Sequence, residues 1–417
     1  MSATRSARRG ALSGRAGPSL GLPPLSNVIL LEVGVAVALV LLTVSRSVWP
    51  AAVAVVVVAL LATGLRWHGR WVTQWAAVVA GYLIRPRTRQ VEAPPPPANR
   101  TDLAGGIDGS LTGCEDARVG LLRLLVPDLV VTDRADHERA PVGLAWHHGM
   151  WTAVVLLDPR PVLVSHVDEH RDVPLAALAA CLQDRGVVLD GIRVVWHCYP
   201  GSSALPPDSP ALAAYHDVLG PLPAVARRRT WVAVRLDPRR CPEAVGERGG
   251  GVPGAHRALL GAVSRVRGVL DAAGLDNRVL DSGGLLRAGI SCAGLAPAAG
   301  RDQRTGLREG WNSVTGGGVS HSSYAINGWP GSPGRLDALT SARALSTTLA
   351  LALGPGTAEQ TVGIRGLIRV SARTPAELNT AGDQVRERAT GCGVTLSPLN
   401  GQQAVAVTAT LPVGGAA

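Results

Sequence analysis

Four histidines and two acids fall close together in this chain: His147, His148, His166, His170, Asp168 and Glu169. Imidazole and carboxylate are ordinary ligands of zinc and related metals. His166 and His170 have the i, i+4 spacing that turns two imidazoles toward one metal on a helix. They follow the strand-like Val162–His166 and lead into a turn, so solvated loop residues are the better reading. His197 and Cys198 are neighbours on a β-rich run, where successive side chains point to opposite faces. A thiol and its base would therefore be held apart. Gly249-Gly250-Gly251-Val252-Pro253-Gly254 satisfies G-x-G-x-x-G, but it follows Pro242-Glu243-Ala244 rather than a strand. Pro253 also removes a phosphate-binding amide, and among 50 glycines a chance match is expected. There is no Asp-x-Asp pair. No catalytic, cofactor-binding or metal site is assigned.

Composition narrows the chemistry further. The chain has no Phe and no Lys, so all 41 basic residues are arginine. Without lysine there is no Walker A loop, no pyridoxal Schiff base and no kinase-type phosphate lysine. Net charge is +10, concentrated in the N-terminal region, which suits membrane orientation better than nucleic acid. Arg227-Arg228-Arg229 is the one compact basic cluster further on, read as a solvated entry to the strand Thr230–Leu236. Cys114, Cys181, Cys198, Cys241, Cys292 and Cys392 are dispersed with no C-x-x-C, as reduced, mostly buried thiols would be.

The elements that organise the chain begin with two apolar runs, Val28–Val44 and Trp49–Leu65, separated by Ser45-Arg46-Ser47-Val48. Each is 17 residues, roughly 26 Å of helix, at the short end of a membrane span. Arg5, Arg8, Arg9 and Arg15 precede the pair, and Arg66, Arg70, Arg85, Arg87 and Arg89 follow it. Basic flanks stay cytoplasmic, so the expectation is a transmembrane helical hairpin with both termini in the cytoplasm. Glu32 sits in the first turns of span one, where it can snorkel or pair with an arginine, or meet a partner's helix. Trp67, Trp71 and Trp75 recur at i, i+4, i+8 beside Arg66 and Arg70, predicting one juxtamembrane helical face against anionic lipid or a partner. Pro86 and Pro94–Pro97 then give a stiff spacer.

The expected organisation is a basic disordered tail over 1–25, the hairpin over 26–66, an amphipathic helix and Pro-rich linker over 67–100, and a cytosolic α/β domain over 101–417. That domain reads as a mixed sheet covered by helices, with a possible division near 247–254. Hairpins are predicted around His147-His148-Gly149-Met150 and through Gly316-Gly317-Gly318, and a closing one over Gly393–Leu411 turning at Asn400-Gly401. Helices are predicted over Leu175–Leu182, Pro210–Leu219, Ala255–Ala273 and Pro375–Ala389, and strands over Val187–Cys198 and Gly363–Ala372.

In order along the chain, these features resemble EccE, a membrane component of actinobacterial type VII (ESX) secretion systems. The resemblance rests on the hairpin, the Arg/Trp segment and Trp311-Asn312-Ser313-Val314 with Gly318, His321, Tyr324 and Trp329-Pro330. Leu399-Asn400-Gly401-Gln402-Gln403 before Ala404–Pro412 completes it. The absent Phe and Lys and the Arg-rich leader depart from the family pattern. The resemblance implies a non-catalytic inner-membrane subunit, without cofactor, beside EccB-, EccC- and EccD-like partners. An alternative is a membrane-tethered, glycosyltransferase-like enzyme at the inner leaflet. A third reading, nucleic-acid binding through Arg227–Arg229, is disfavoured.

Overall fold

A computed structural model describes residues 25–44, 49–67, 70–92, 117–157, 172–200, 226–295, 304–331, 333–356 and 361–415. They form two compact units, one ending at Arg87 and one beginning at Thr88. Val162–His170, Pro210–Leu219, Cys114 and Pro94–Pro97 lie outside the described residues.

The first unit is built on helices α1 (Leu25–Val44) and α2 (Trp49–Gly64), packed as a hairpin. Small residues set the contact: Ala38, Ala52 and Ala59 are buried, and a Cβ on Gly34 would fall 2.6 Å from that of Ala59. Val28, Ile29, Leu39, Val40, Val58 and Leu61 point outward. One end is clamped by buried Asn27. Its amide nitrogen donates to the Thr63 carbonyl at 2.9 Å, and its oxygen accepts from the Thr73 hydroxyl. Among the described residues no helix is long and apolar enough to cross a membrane. At 16 residues α2 is about 24 Å long, and α1 spends its first turn on Leu25-Ser26-Asn27. The predicted Trp67–Trp75 helix is corrected. Strands β1 (Arg66–Trp67) and β2 (Arg70–Trp71) pair antiparallel, and helix α3 starts only at Val72, running to Ile84. The three tryptophans therefore share no helical face, because Trp67 and Trp71 stand on paired strands and only Trp75 is helical.

In the second unit, strand β3 (Thr88–Glu92) and helix α4 (Ala117–Leu125) lead into two successive halves of like topology. The first half runs β4 (Val130–Ala135), β5 (Pro141–His147), β6 (Met150–Leu157), helix α5 (Leu175–Ala180) and the short pair β7 (Gln183–Asp184) and β8 (Val187–Val188). It continues through β9 (Gly191–Pro200), β10 (Ala226–Leu236), α6 (Pro242–Glu247), α7 (Gly251–Ala272), β11 (Asn277–Val279) and α8 (Ser282–Cys292). The second half runs β12 (Arg304–Glu309), β13 (Val314–Gly316), β14 (Val319–Gly328), α9 (Asp337–Thr340) and β15 (Ser346–Pro355). It ends with β16 (Val362–Ala372), α10 (Pro375–Gly391), β17 (Thr395–Pro398) and α11 (Gln403–Thr410).

The sheet path is β3-β12-β13-β14-β16-β15-β9-β10-β6-β5-β4, with β11 on β6 and β17 on β14. Read outward from the central pair β9–β15, the order on each side is the same, so an approximate two-fold relates the halves. Details repeat too. The β5–β6 turn, His148-Gly149, has φ of 50° and 80°, and the β13–β14 turn, Gly317-Gly318, has 60° and 78°. This is the left-handed pair that a two-residue hairpin requires. Helices α7 and α10 both end at a left-handed glycine, Gly274 (φ 71°) and Gly393 (φ 74°). Leu280 donates to the Val154 carbonyl in one half, and Leu399 to that of Ser323 in the other.

One sheet face packs Val194, Val232, Ile368 and Val370 against Leu259, Val263 and Val266 of α7 and Leu378 and Val385 of α10. The other packs Val195, Trp231 and Ala350 under Leu285 of α8 and Val407 of α11. Thr374 caps α10 by accepting from the Glu377 N–H at 3.3 Å, with Pro375 as its first residue.

Every strand pairing among the described residues is antiparallel, which corrects the expected mixed sheet. Hairpins join β4–β5–β6 and β12–β13–β14, and the connections β6 to β9 and β14 to β15 each cross over one strand that is added later, so neighbours stay antiparallel. The closing hairpin is also corrected. Val405 and Val407 alternate as in a strand, yet the segment is helix α11, with Ala404, Ala406, Val407, Ala409 and Thr410 all buried. Alanine lets it lie close to the sheet, and burial on several sides overrides the pattern. The Arg227–Arg229 cluster lies inside β10, not before it. The glycines at 249–251 form the turn between α6 and α7, with Gly250 donating to the Val245 carbonyl at 2.9 Å.

Gly34→Ala should loosen the α1–α2 contact, and Ala59→Gly should relieve the loss in the double variant. Thermal unfolding of the detergent-solubilised full chain measures both. Simple additivity of the two changes would mean the helices do not meet there.

Candidate functional site

The second face carries a row of polar side chains at its centre. Ser323 pairs with Arg369, Arg369 with Thr348, and Thr348 with His197 across β14, β16, β15 and β9. Directly paired residues share a face, so the four lie side by side. The next row adds His321, Ser371 and Ser346. All seven are buried, with Ser323, Thr348 and Arg369 wholly so.

Arg369 has no carboxylate partner among the described residues. Its Nη2 donates to the Cys292 carbonyl at 2.5 Å and to Thr348 Oγ1 at 3.0 Å, and lies 3.4 Å from Cys292 Sγ. Cys292 is the last residue of α8, so the guanidinium sits on the negative end of that helix. Burial lowers the arginine's pKa and raises that of the Cys292 thiol.

Thr348 Oγ1 accepts from Arg369 and lies 2.9 Å from Nδ1 of His197. Burial, with Arg369 and Arg229 nearby, pushes the His197 pKa down to about 3. His321 Nδ1 is 2.8 Å from Ser371 Oγ, and burial beside Arg369 drives it well below the usual histidine value.

A counterpart lies at the end of the other half. Arg193 of β9 donates to the carbonyls of Leu411 (3.4 Å), Gly414 (3.1 Å) and Gly415 (2.9 Å), just beyond α11. Burial lowers its pKa to about 10. An arginine of the second half thus holds the last helix of the first, and an arginine of the first half holds the chain after the last helix of the second. Sequence reading did not single out Arg193, His197 with Thr348, or Arg369. The available signal was an arginine inside a β-branched run, at Ile192-Arg193-Val194 and Ile368-Arg369-Val370.

The residues singled out from the sequence do not converge. His321 faces the polar row, whereas Tyr324, three residues on, turns to the apolar face, and Trp329, just beyond the strand, packs against that same cluster. Trp311 and Pro330 are half-buried before and after the β13–β14 hairpin. In the N-terminal unit Glu32 is exposed on α1 and Trp75 is half-buried on α3. Arg66, Trp67, Arg70 and Trp71 lie on β1 and β2. His197 and Cys198 do point to opposite faces: Cys198 packs toward Thr340, away from the Thr348 hydroxyl. His147 and His148 form a turn, with His147 Nδ1 2.6 Å from the Pro127 carbonyl.

Among the described residues this is a buried row of neutral imidazoles, hydroxyls and a helix-bound guanidinium that ties strands to helix ends, and the class it defines is an α/β domain with a buried polar row in its sheet. A family described as "Putative type VII ESX secretion system translocon, EccE" matches residues 224–326, from β10 into β14. The ESX-1 secretion system protein EccE1 of Mycobacterium tuberculosis (strain CDC 1551 / Oshkosh) is 26% identical over 329 residues, 75% of this chain and 57% of that protein. EccE1 of Mycolicibacterium smegmatis is 28% identical over 228 residues, 52% of this chain and 43% of that protein. The ESX-5 protein EccE5 of Mycobacterium marinum is 27% identical over 305 residues, 68% of each. The chain is therefore similar to EccE proteins, over residues 224–326 in the family match and over 75% of its length in the first of these relatives. It spans 57% of the length of the first of these relatives.

Two outcomes test the polar row. His197 and His321 have folded pKa values below the unfolded value near 6.5, so each favours folding above that pH and opposes it below. Stability should fall as pH drops from about 6.5 toward about 3, the folded value of His197. The slope should approach ~1.4 kcal/mol per pH unit per histidine. Denaturant titration of the full chain at stepped pH measures this, and His197→Asn should remove one proton's worth of slope. Arg369→Met keeps the volume but strands the Cys292 carbonyl, and should cost about 1–3 kcal/mol.

Proposed function

We propose that this chain is a non-catalytic structural subunit of a type VII protein secretion complex in the inner (plasma) membrane. The supporting observation is the pairing of an EccE family match with a hairpin whose apolar side chains face outward. A contiguous exposed apolar surface marks a lipid or protein interface. We read α1 and α2 as a transmembrane hairpin whose modest length is accommodated by local bilayer thinning and snorkelling flanks. Arg66 and Arg70, as basic flanks of the hairpin, support a topology with both termini on the cytoplasmic side. Trp67, Trp71 and Trp75 then lie at the headgroup level with anionic lipid, and Glu32 meets an arginine or a partner's helix.

On this reading the α/β unit braces the assembly from the cytosol. Its partners are the other membrane subunits, of EccB, EccC and EccD type, and it takes no cofactor. The similarity to EccE proteins of secretion systems supports a brace over an inner-leaflet glycosyltransferase. The hairpin Trp311–Pro330, with His321, Tyr324 and Trp329, serves the interior of that brace.

Mild-detergent extraction through a tag on the full chain should recover the other secretion subunits together with it. Recovery of a stable monomer alone would overturn the proposal, as would a saturable rise in thermal stability with a nucleotide sugar.

A further inference from the structure

The approximate two-fold makes each position in one half predict an occupant in the other. At the outer edge of the second half, β12 pairs with β3 over five residues, Arg304–Arg308 against Thr88–Glu92. Strand β3 belongs to neither half; it arrives from the preceding chain. The corresponding place in the first half is the outer edge of β4, which ends the sheet path and pairs with no strand among the described residues.

The chemistry of that edge can be read from its register. β4 pairs with β5 as Val130↔Trp146 through Ala135↔Pro141. At the connecting turn Asp136 donates to the Ala140 carbonyl at 3.0 Å, so residues 130, 132, 134 and 136 turn their main-chain groups toward β5. Val131, Asp133 and Ala135 therefore present N–H and C=O outward. The contact between Gly143 and Leu280 agrees: Gly143, opposite Asp133, donates away from β4 at 2.8 Å. Val130 is 55% exposed at the start of this edge. Asp133 also accepts from Ser282 N and Oγ at 2.8 and 2.6 Å, which holds β4 against the start of α8 and keeps the edge extended.

Charge on an edge strand usually discourages pairing. Here it does not decide the matter, because β12 carries Arg304, Arg308 and Glu309 and still accepts β3. The precedent inside the molecule also bears on which occupant fits. The strand on β12 is drawn from outside the repeated halves, not from a second copy of β12 itself.

We infer that the outer edge of β4 is a docking edge for an extended strand donated by a partner subunit, running antiparallel to β4 as β3 runs to β12. This inference rests on the secretion-complex reading. Recognition is by main-chain hydrogen bonds through Val131, Asp133 and Ala135, so the incoming strand lacks proline at the three pairing positions. Apolar side chains opposite Val130 and Val131 complete the fit.

The test compares hydrogen–deuterium exchange over residues 129–136 in the full chain purified alone and in the complex recovered through its tag. Exchange at Val131, Asp133 and Ala135 should be fast in the isolated chain and at least ~10-fold slower in the complex. Val131→Pro removes only an outward N–H and should abolish the protection and the cross-links from β4 to that partner, with thermal unfolding of the isolated chain little changed. If that variant misfolds, Ala135→Pro at the strand end replaces it. Unchanged fast exchange in an intact complex would overturn the inference and leave the secretion-complex reading standing. Protection already present in the isolated chain would mean that a second copy or this chain's own segment fills the edge, and would overturn it too. Recovery of the chain with no partner overturns both.

Discussion

The interior of the large sheet depends on how one buried guanidinium is held. Arg369 is fully buried with no carboxylate beside it among the described residues, and an uncompensated charge in such a place costs several kcal/mol. Compensation comes from the end of a helix. The Cys292 carbonyl closes α8, and the partial negative charge there stabilises a cation. Thr348 and His197 extend the arrangement across two further strands. Arg193 repeats the device on the chain after α11. Because each arginine belongs to one half and each helix end to the other, the halves are tied together beyond the β9–β15 ladder.

That arrangement explains why the sheet holds polar side chains at its centre. The face under α7 and α10 is mainly apolar, with Ser322, Thr347 and His256 as buried polar exceptions. The opposite face interleaves an apolar cluster with hydroxyls and imidazoles that hydrogen-bond to each other or to helix ends. Polar groups placed this way favour one register over its neighbours, since a slip by one residue would bury them against aliphatic helices.

Much of the local structure was legible. His148-Gly149 and Gly317-Gly318 announce their hairpins because a two-residue turn needs left-handed φ at both positions. The apolar stripe Leu259, Val263, Val266, Leu270 announces α7, although the helix begins earlier, within the glycines. Thr374-Pro375 with Glu377 announces α10. What was not legible is long-range. Alternating valines at 405 and 407 read as a strand until burial on several sides makes a helix. The repeated halves share topology and turn positions, while their facing strands, such as Ile192-Arg193-Val194 and Thr347-Thr348-Leu349, differ in sequence. The polar row could not be assembled from spacing, because its members stand on four strands joined only by register. The family-like residues His321 and Tyr324 are three apart on one strand, which by itself puts them on opposite faces and rules out a shared site.

The cross-tied halves also have a consequence for the order of folding. The chain is made from its N-terminus, and the β4–β6 meander and the β9–β10 pair of the first half are complete well before β15 and β16 emerge. Until then α8 ends on carbonyls that Arg369 has not reached, and Arg193 has no helix end to hold. The central ladder joins residues such as Ile192 and Leu353, so its closure carries a large loop entropy and comes late. A nascent first half is therefore an open sheet with a buried-type cation awaiting its partner, a species that spends its lifetime in need of protection from wrong strands.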